Sequence, residues 1–188
     1  EAEIRQLPGK VYSTYGMTET LSHIALRRLN GPDASTLYYP FPSVRLSLSP
    51  EHTLIIDAPL VCDTILVTND VAEINSDGSF SILGRKDNTI NTGGIKVQAE
   101  QVEDILRPWI HVPFAITSVS DAALGEAIVL LIENGGYTER LEEKMKELLT
   151  KYQLPKMVFS VGTIPLTETG KINRAGCRQL AATYQVGR

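Results

Sequence analysis

Long apolar runs are missing from this sequence. The longest unbroken one, Ala127 to Ile132, is six residues, far short of the roughly 20 needed to cross a bilayer as a helix. No membrane span is therefore expected, and no basic-then-apolar signal segment stands at the start. Cysteine is scarce. Cys62 and Cys177 are the only two. They form no CxxC and no disulfide framework, which fits a reducing, cytoplasmic setting. His23, His52 and His111 have no ligand spacing and no partner cysteines, which argues against zinc. There is no GxGxxG, no Walker loop and no G-x-S-x-G elbow, so Rossmann, P-loop and α/β-hydrolase fingerprints are all absent. Excess positive charge is lacking too. Eighteen Lys and Arg against 22 Asp and Glu leave a net charge of -4, and no basic–aromatic interleaving points to nucleic acid. Any site for an anionic ligand must be local.

What is present is globular composition: 188 residues, 43% hydrophobic and 21% charged, enough to bury a core without staples. The first half reads as strands. Val44, Leu46 and Leu48 alternate with polar residues, the period of a half-buried strand. Leu54 to Ile56 and Ile65 to Thr68 are short β-branched runs. Asn75-Ser76-Asp77-Gly78 is a turn between Val71–Ile74 and Phe80–Leu83. A small barrel or a distorted antiparallel sheet is expected here.

The pattern changes after Arg85. Ala99 to Arg107 predicts a helix closed by Pro108, and Phe114–Ser120 and Ala127–Glu133 predict strands. Thr138 predicts an N-cap for a helix through Tyr152, with Leu141, Met145, Leu148, Leu149 and Tyr152 on one face. Met157–Val161 predicts a strand and Arg174–Tyr184 a last helix. The fold class is α+β. Residues 1–86 form a β-rich first part, and residues 87–188 a small α+β domain, with the boundary at Gly84-Arg85-Lys86-Asp87.

Three segments carry chemistry-bearing residues. In Tyr15-Gly16-Met17-Thr18-Glu19-Thr20, a threonine can donate to a phosphate oxygen and a carboxylate can reach a divalent cation, which shares its oxygens with phosphates. The plain alternative is a turn capped at Thr18. Gly84-Arg85-Lys86-Asp87 and Asn91-Thr92-Gly93-Gly94-Ile95-Lys96-Val97 could clamp an anion, or be a charge cluster followed by a tight turn. Thr167-Glu168-Thr169-Gly170-Lys171 puts a lysine on a loop, where it can reach a neighbouring site or simply be solvated.

In this order, with Thr68-Asn69-Asp70, Val102-Glu103 and Thr169-Gly170-Lys171-Ile172-Asn173-Arg174, the segments resemble the later core motifs of the adenylate-forming superfamily. That superfamily holds acyl-CoA synthetases, luciferases and the adenylation domains of peptide synthetases. The resemblance covers essentially the whole chain and is to the carboxy-terminal part of such enzymes. Within the superfamily, Tyr15 to Gly31 is most similar to the o-succinylbenzoate-CoA ligases of menaquinone biosynthesis. The Ser/Thr/Gly-rich phosphate loop and most of the acyl pocket have no counterpart here. The chain opens on Glu1, so it reads as a piece of a longer protein. Its expected partner is then the missing amino-terminal portion of the same enzyme. Residues 1–86 would be the remnant of the large AMP-binding domain, exposing apolar surface and open to homo-oligomerisation, and residues 87–188 a mobile lid.

The resemblance also implies roles and ligands: ATP, Mg2+ and coenzyme A, with a small-molecule carboxylic acid. Tyr15 matches the residue that packs on adenine, Thr18 the phosphate-contacting threonine and Glu19 the magnesium carboxylate. Asp70 matches the acceptor for both ribose hydroxyls, Arg85 the basic residue near ribose and phosphates, and Lys171 the mobile lysine of adenylation. Asp87 matches the hinge residue, Gly94 the glycine beside the pantetheine chain, and Lys96 could meet a CoA phosphate. The family has glycine where Asn69 stands. Asparagine tolerates left-handed backbone, so the turn is expected to survive.

Two alternatives stand beside the acid-CoA ligase. One is a ligase for another acid, or an adenylation domain charging a carrier protein; Gly187-Arg188 reads as a chain end, which favours the free ligase. The other is a non-catalytic nucleotide-binding module. The chain alone is expected to be inactive as a ligase.

Overall fold

A computed structural model describes residue 4 and residues 6–186. Glu1 and the Gly187-Arg188 end discussed above lie outside the described residues. The chain divides into two compact units, Glu1–Lys86 and Asp87–Arg188.

The first unit holds two antiparallel sheets where a small barrel or one distorted sheet was expected. Strands β1 (Tyr12–Gly16), β2 (His23–Arg28) and β3 (Tyr39–Pro40) pair in order. Strands β4 (Arg45–Leu48), β5 (Thr53–Asp57), β6 (Leu66–Ile74) and β7 (Phe80–Arg85) form the other sheet. An isolated bridge between Tyr38 and Phe80 ties one sheet to the other. The core collects Ile24, Ala25, Leu54, Ile56, Ala58, Ala72 and Phe80. Leu54 and Ile56 are fully buried on β5, as period two demands when one face meets a core. Leu60, Ile65 and Val67 remain exposed. At the β6–β7 hairpin, Asp77 Oδ1 accepts from the Ser79 hydroxyl (2.6 Å) and amide (3.0 Å). These two bonds hold the Asp77 carboxyl below its usual range.

The two runs predicted on either side of Thr68-Asn69-Asp70 are one strand, β6. The expected turn is not there, and Asn69 is not left-handed. A bulge replaces it. Thr53 pairs with Val71 and Ile55 with Val67, so Thr68, Asn69 and Asp70 together oppose Leu54. The Thr68 hydroxyl accepts from the Asp70 amide at 3.1 Å and steadies the bulge. Asparagine at 69 needs no glycine-like freedom because extra residues, not positive φ, change the strand's direction.

In the second unit the short strands β8 (Thr89–Thr92) and β9 (Ile95–Gln98) form a hairpin where sequence reading saw a turn alone. Helix α1 (Ala99–Leu106) follows, then strands β10 (Phe114–Asp121) and β11 (Gly125–Glu133), helix α2 (Glu139–Leu148), strand β12 (Met157–Val161) and helix α3 (Arg174–Val186). Strand β11 is central: antiparallel to β10, parallel to β12, and touching β8 through Gly125 and Thr92. Its run Ala127–Ile132 is buried throughout. Ile128, Leu130 and Ile132 face the α1 and α2 side, while Ala127, Val129 and Leu131 face α3. A strand covered on both faces carries continuous apolar sequence, which is why this is the longest such run in the chain. Cys177 is in the α3 core, and burial pushes its thiol up to about 11.

The Thr138 cap forms, its side chain accepting from Leu141 N at 3.2 Å. The helix does not reach Tyr152, as the periodicity suggested. Leu149 is already extended (φ -99, ψ 141). Gln153 takes over beyond it, its Oε1 accepting from the Thr150 amide at 3.0 Å. Leu141, Met145 and Leu149 are buried, whereas Leu148 and Tyr152 are exposed. Among the described residues, no helix is long and apolar enough to cross a membrane.

Candidate functional site

In the first unit Tyr15, Asp70 and Arg85 come together, from the end of β1, the β6 bulge and the end of β7. Strand β1 delivers Tyr15 and Gly16, then a single 3-10 turn spans Thr18–Thr20. Gly16 is required by close approach, because a Cβ there would lie 2.5 Å from Ser22 O and 2.8 Å from His23 Cα. The turn is not capped by Thr18. Met17 occupies the cap position, and the buried Thr20 hydroxyl accepts from Met17 N (3.1 Å) and lies 2.6 Å from Ser22 O. With Thr20 holding the turn, Thr18 and Glu19 are left exposed at its tip. Neither side chain has a hydrogen-bond or ion-pair partner among the described residues.

The β6 bulge aims Asp70 at its cross-strand partner Arg85. The Tyr15 hydroxyl donates to Asp70 Oδ2 at 2.6 Å, and Arg85 Nη1 approaches Asp70 Oδ1 at 3.4 Å. Asp70 is 16% and Arg85 51% exposed in their side chains. Burial, then the bond to Asp70 and its charge, push the Tyr15 phenol far above its ordinary range, so it stays a donor. The Tyr15 ring meets Phe80 edge-on (centroids 5.4 Å) and Tyr38 at a tilt (5.8 Å). Sequence reading gave Tyr15 a ring-stacking part only; its grip on Asp70 becomes visible once residues 55 positions apart are brought together. What results is a largely buried carboxylate acceptor beside a half-exposed cation, suited to a polyol beside an anion.

In the second unit, Asp87 lies in a 3-10 turn, Lys86–Asn88. Gly93 (φ +59) and Gly94 (φ +81) make the two-residue turn of the β8–β9 hairpin, the geometry that demands left-handed backbone at both positions. A Cβ on Gly94 would meet nothing within 4 Å. Gly94→Ala is therefore expected to lower stability by about 1–2 kcal/mol through backbone strain, not collision. Urea unfolding followed by the fluorescence of Trp109, the only tryptophan, checks this; an unchanged midpoint would contradict it. Lys96 is exposed on β9. Lys171 sits at the end of a closed loop. Thr167 N donates to Lys171 O (2.7 Å), Lys171 N to Thr167 Oγ1 (3.1 Å) and Asn173 N to Pro165 O (2.9 Å). The Lys171 side chain is exposed and unpaired among the described residues.

Sequence reading gave no role to the pair that dominates this unit. Glu103, 3% exposed, holds Arg174 in a two-pronged ion pair at 2.6 and 2.9 Å and also accepts from Ile116 N at 2.8 Å. Burial alone would lower the Arg174 pKa; the bonds and charge of Glu103 outweigh it and raise it. The one local hint was a carboxylate set between Val102 and Leu106 on an apolar helix face. Among the described residues no group of three or more His, Cys, Asp or Glu could hold a metal by itself.

No family model matches the chain. Its relatives and structural neighbours are adenylate-forming, acyl-CoA synthetase-type ligases, and it corresponds to the carboxy-terminal part of that family's fold. The chain is 26% identical over 181 residues to 2-succinylbenzoate–CoA ligase of Lactococcus lactis, covering 87% of this chain and 40% of that protein. It is 32% identical over 120 residues to the vibriobactin-specific 2,3-dihydroxybenzoate-AMP ligase of Vibrio cholerae, covering 60% of this chain and 22% of that protein. Among solved structures, o-succinylbenzoate coenzyme A synthetase from Bacillus subtilis, in complex with ATP and magnesium ion, matches with a TM-score of 0.75 at 20% identity, over 93% of this chain and 42% of that one. The chain thus spans less than half the length of these relatives.

Proposed function

We propose that this chain is the carboxy-terminal part of an ATP-dependent acid–CoA ligase, with o-succinylbenzoate as its acid. In the first step a substrate carboxylate attacks the α-phosphorus of ATP and pyrophosphate leaves. In the second the CoA thiolate attacks the acyl carbon and AMP leaves. The observation that carries the reading is the Tyr15–Asp70–Arg85 cluster, a carboxylate held between a donor hydroxyl and a guanidinium. Asp70 keeps lone pairs for two ribose hydroxyls, and Arg85 offers charge to phosphate. Glu19 would be this chain's ligand to Mg2+, a hard cation that needs few protein oxygens when phosphates supply the rest. When bound, such a cation offsets phosphate charge. Thr18 donates to a phosphate oxygen beside it. Lys171 serves adenylation, while Gly94 and Lys96 serve the CoA step after the lid turns about Asp87.

The acid is supported by the likeness to 2-succinylbenzoate–CoA ligase over most of the chain. A second reading, adenylation of another aryl acid, is favoured by the higher identity to the 2,3-dihydroxybenzoate ligase over a shorter stretch. Pyrophosphate exchange by the complete ligase carrying this chain, across a panel of carboxylic acids, separates them. Exchange with o-succinylbenzoate well above every other acid is expected. Preference for a dihydroxybenzoate would favour the second reading, and no exchange with any acid would sink both.

The hinge part has its own test. Proline locks φ, so Asp87→Pro in the complete ligase is expected to leave adenylation within about threefold and slow thioester formation about tenfold or more. Equal effects on both steps would remove Asp87 from the hinge.

A further inference from the structure

We infer that Arg174 is a positioning residue for Lys171, anchored by Glu103. The inference rests on the reading that Lys171 serves adenylation. The lysine loop is rigid within itself: Leu166 bridges Ile172, Gly170 N donates to Thr167 O at 2.9 Å, and Asn173 N reaches back to Pro165 O at 2.9 Å. Apolar packing of Ile172 against the α3-side core and the bond from Ile164 N to Glu133 Oε1 (2.9 Å) hold this loop to the body of the unit without fixing its direction through a planar charged pair. Arg174 supplies that pair. As the first residue of α3, three positions after Lys171, it reaches across to α1 and β10. Its Nη1 and Nη2 meet Glu103 Oε1 and Oε2 at 2.6 and 2.9 Å, and Nη1 also donates to Ile116 O at 3.2 Å. Glu103 is itself fixed by Ile116 N.

The same guanidinium lies 3.4 Å from Glu100 Oε1, which also accepts from Asn88, the residue after Asp87. The network therefore runs from the segment next to Asp87, through α1, to the root of the lysine loop. A planar fork on a buried carboxylate fixes direction as well as distance, which a single ammonium does not. Apolar contacts of Cys177 and Ala181 already hold α3 to the sheet. The distinct contribution of the fork is the angle at which α3, and so the lysine loop, leaves it.

Arg174→Lys in the complete ligase keeps the charge opposite Glu103 and removes the fork. Adenylation by pyrophosphate exchange should fall about tenfold, since small misplacements of a catalytic group are costly. Thioester formation from supplied acyl-adenylate should stay within about twofold, and on a Lys171→Ala background the change should add less than about twofold, because the two residues act as one unit. A merely structural residue would slow both half-reactions alike and add its full effect on that background; either result overturns the inference. If Arg174→Lys does not fold, the pair Glu103→Gln with Arg174→Gln, which can still hydrogen-bond, takes the same readouts.

Hydrogen exchange in the 188-residue chain tests the positioning apart from activity. The Lys171 and Asn173 amides, bonded to Thr167 Oγ1 and Pro165 O, should exchange about tenfold faster in Arg174→Lys, while the β11 amides do not change. Unchanged exchange at Lys171 overturns the inference even in an active ligase. Normal coupling by exchange with no ligase activity towards any acid would instead bring down the functional reading alone.

Discussion

Lys171→Ala in the complete ligase is expected to slow pyrophosphate exchange at least about a hundredfold, while thioester formation from supplied acyl-adenylate and CoA stays within about threefold. The argument starts from charge. As the carboxylate attacks the α-phosphorus, negative charge builds on the bridging and non-bridging oxygens. A preorganised cation is worth about 3–4 kcal/mol there, because it costs no reorganisation at the moment of reaction. In the second step the bonding pair leaves with the AMP phosphate, but on the proposed reading the lid has by then turned about Asp87 and carried Lys171 away, so its loss is expected to matter little. Lys171 is exposed and unpaired among the described residues, at the end of a loop closed by backbone bonds. Its ammonium therefore has no local carboxylate to give up before reaching a phosphate. Equal loss in both half-reactions would show that Lys171 does not distinguish the steps.

Arg174→Met is expected to destabilise the second unit by about 3–5 kcal/mol, the scale on which breaking a buried ion pair leaves a charge without its partner. Glu103 is 3% exposed, and with Arg174 gone only the Ile116 amide still faces its carboxylate. Replacing both partners differs in kind. Glu103→Gln with Arg174→Met removes both charges yet keeps an acceptor for Ile116 N, and should come within about 2 kcal/mol of the unchanged chain. Trp109 fluorescence during urea unfolding reports this unit, since Trp109 packs against the core formed by α1, α2 and the sheet. If Arg174→Met costs less than about 1 kcal/mol, the pair is not a buried one in solution.

Features set by neighbouring residues were legible early. The Asp77-Gly78 hairpin rests on a carboxylate two residues from the amide it accepts, and the Thr138 cap on an amide three residues away. The Ala127–Ile132 strand announced itself by an unbroken apolar run. The misreadings have separate causes. The α2 periodicity continues to Tyr152, yet a competing turn around Thr150 and Gln153 ends the helix at Leu148. The turn expected at Asn69 came from the glycine the family has there, and only the register against β5 shows a bulge in its place.

Local order along the chain was enough to suggest which elements form, and motif order to suggest which family they belong to, because backbone preference, capping and side-chain periodicity act over a few residues. The Tyr15–Asp70 bond and the Glu103–Arg174 fork join positions 55 and 71 residues apart. Nothing within a short window specifies such pairs. They arise when sheets and helices bury these polar groups together, where a polar group without a partner is costly.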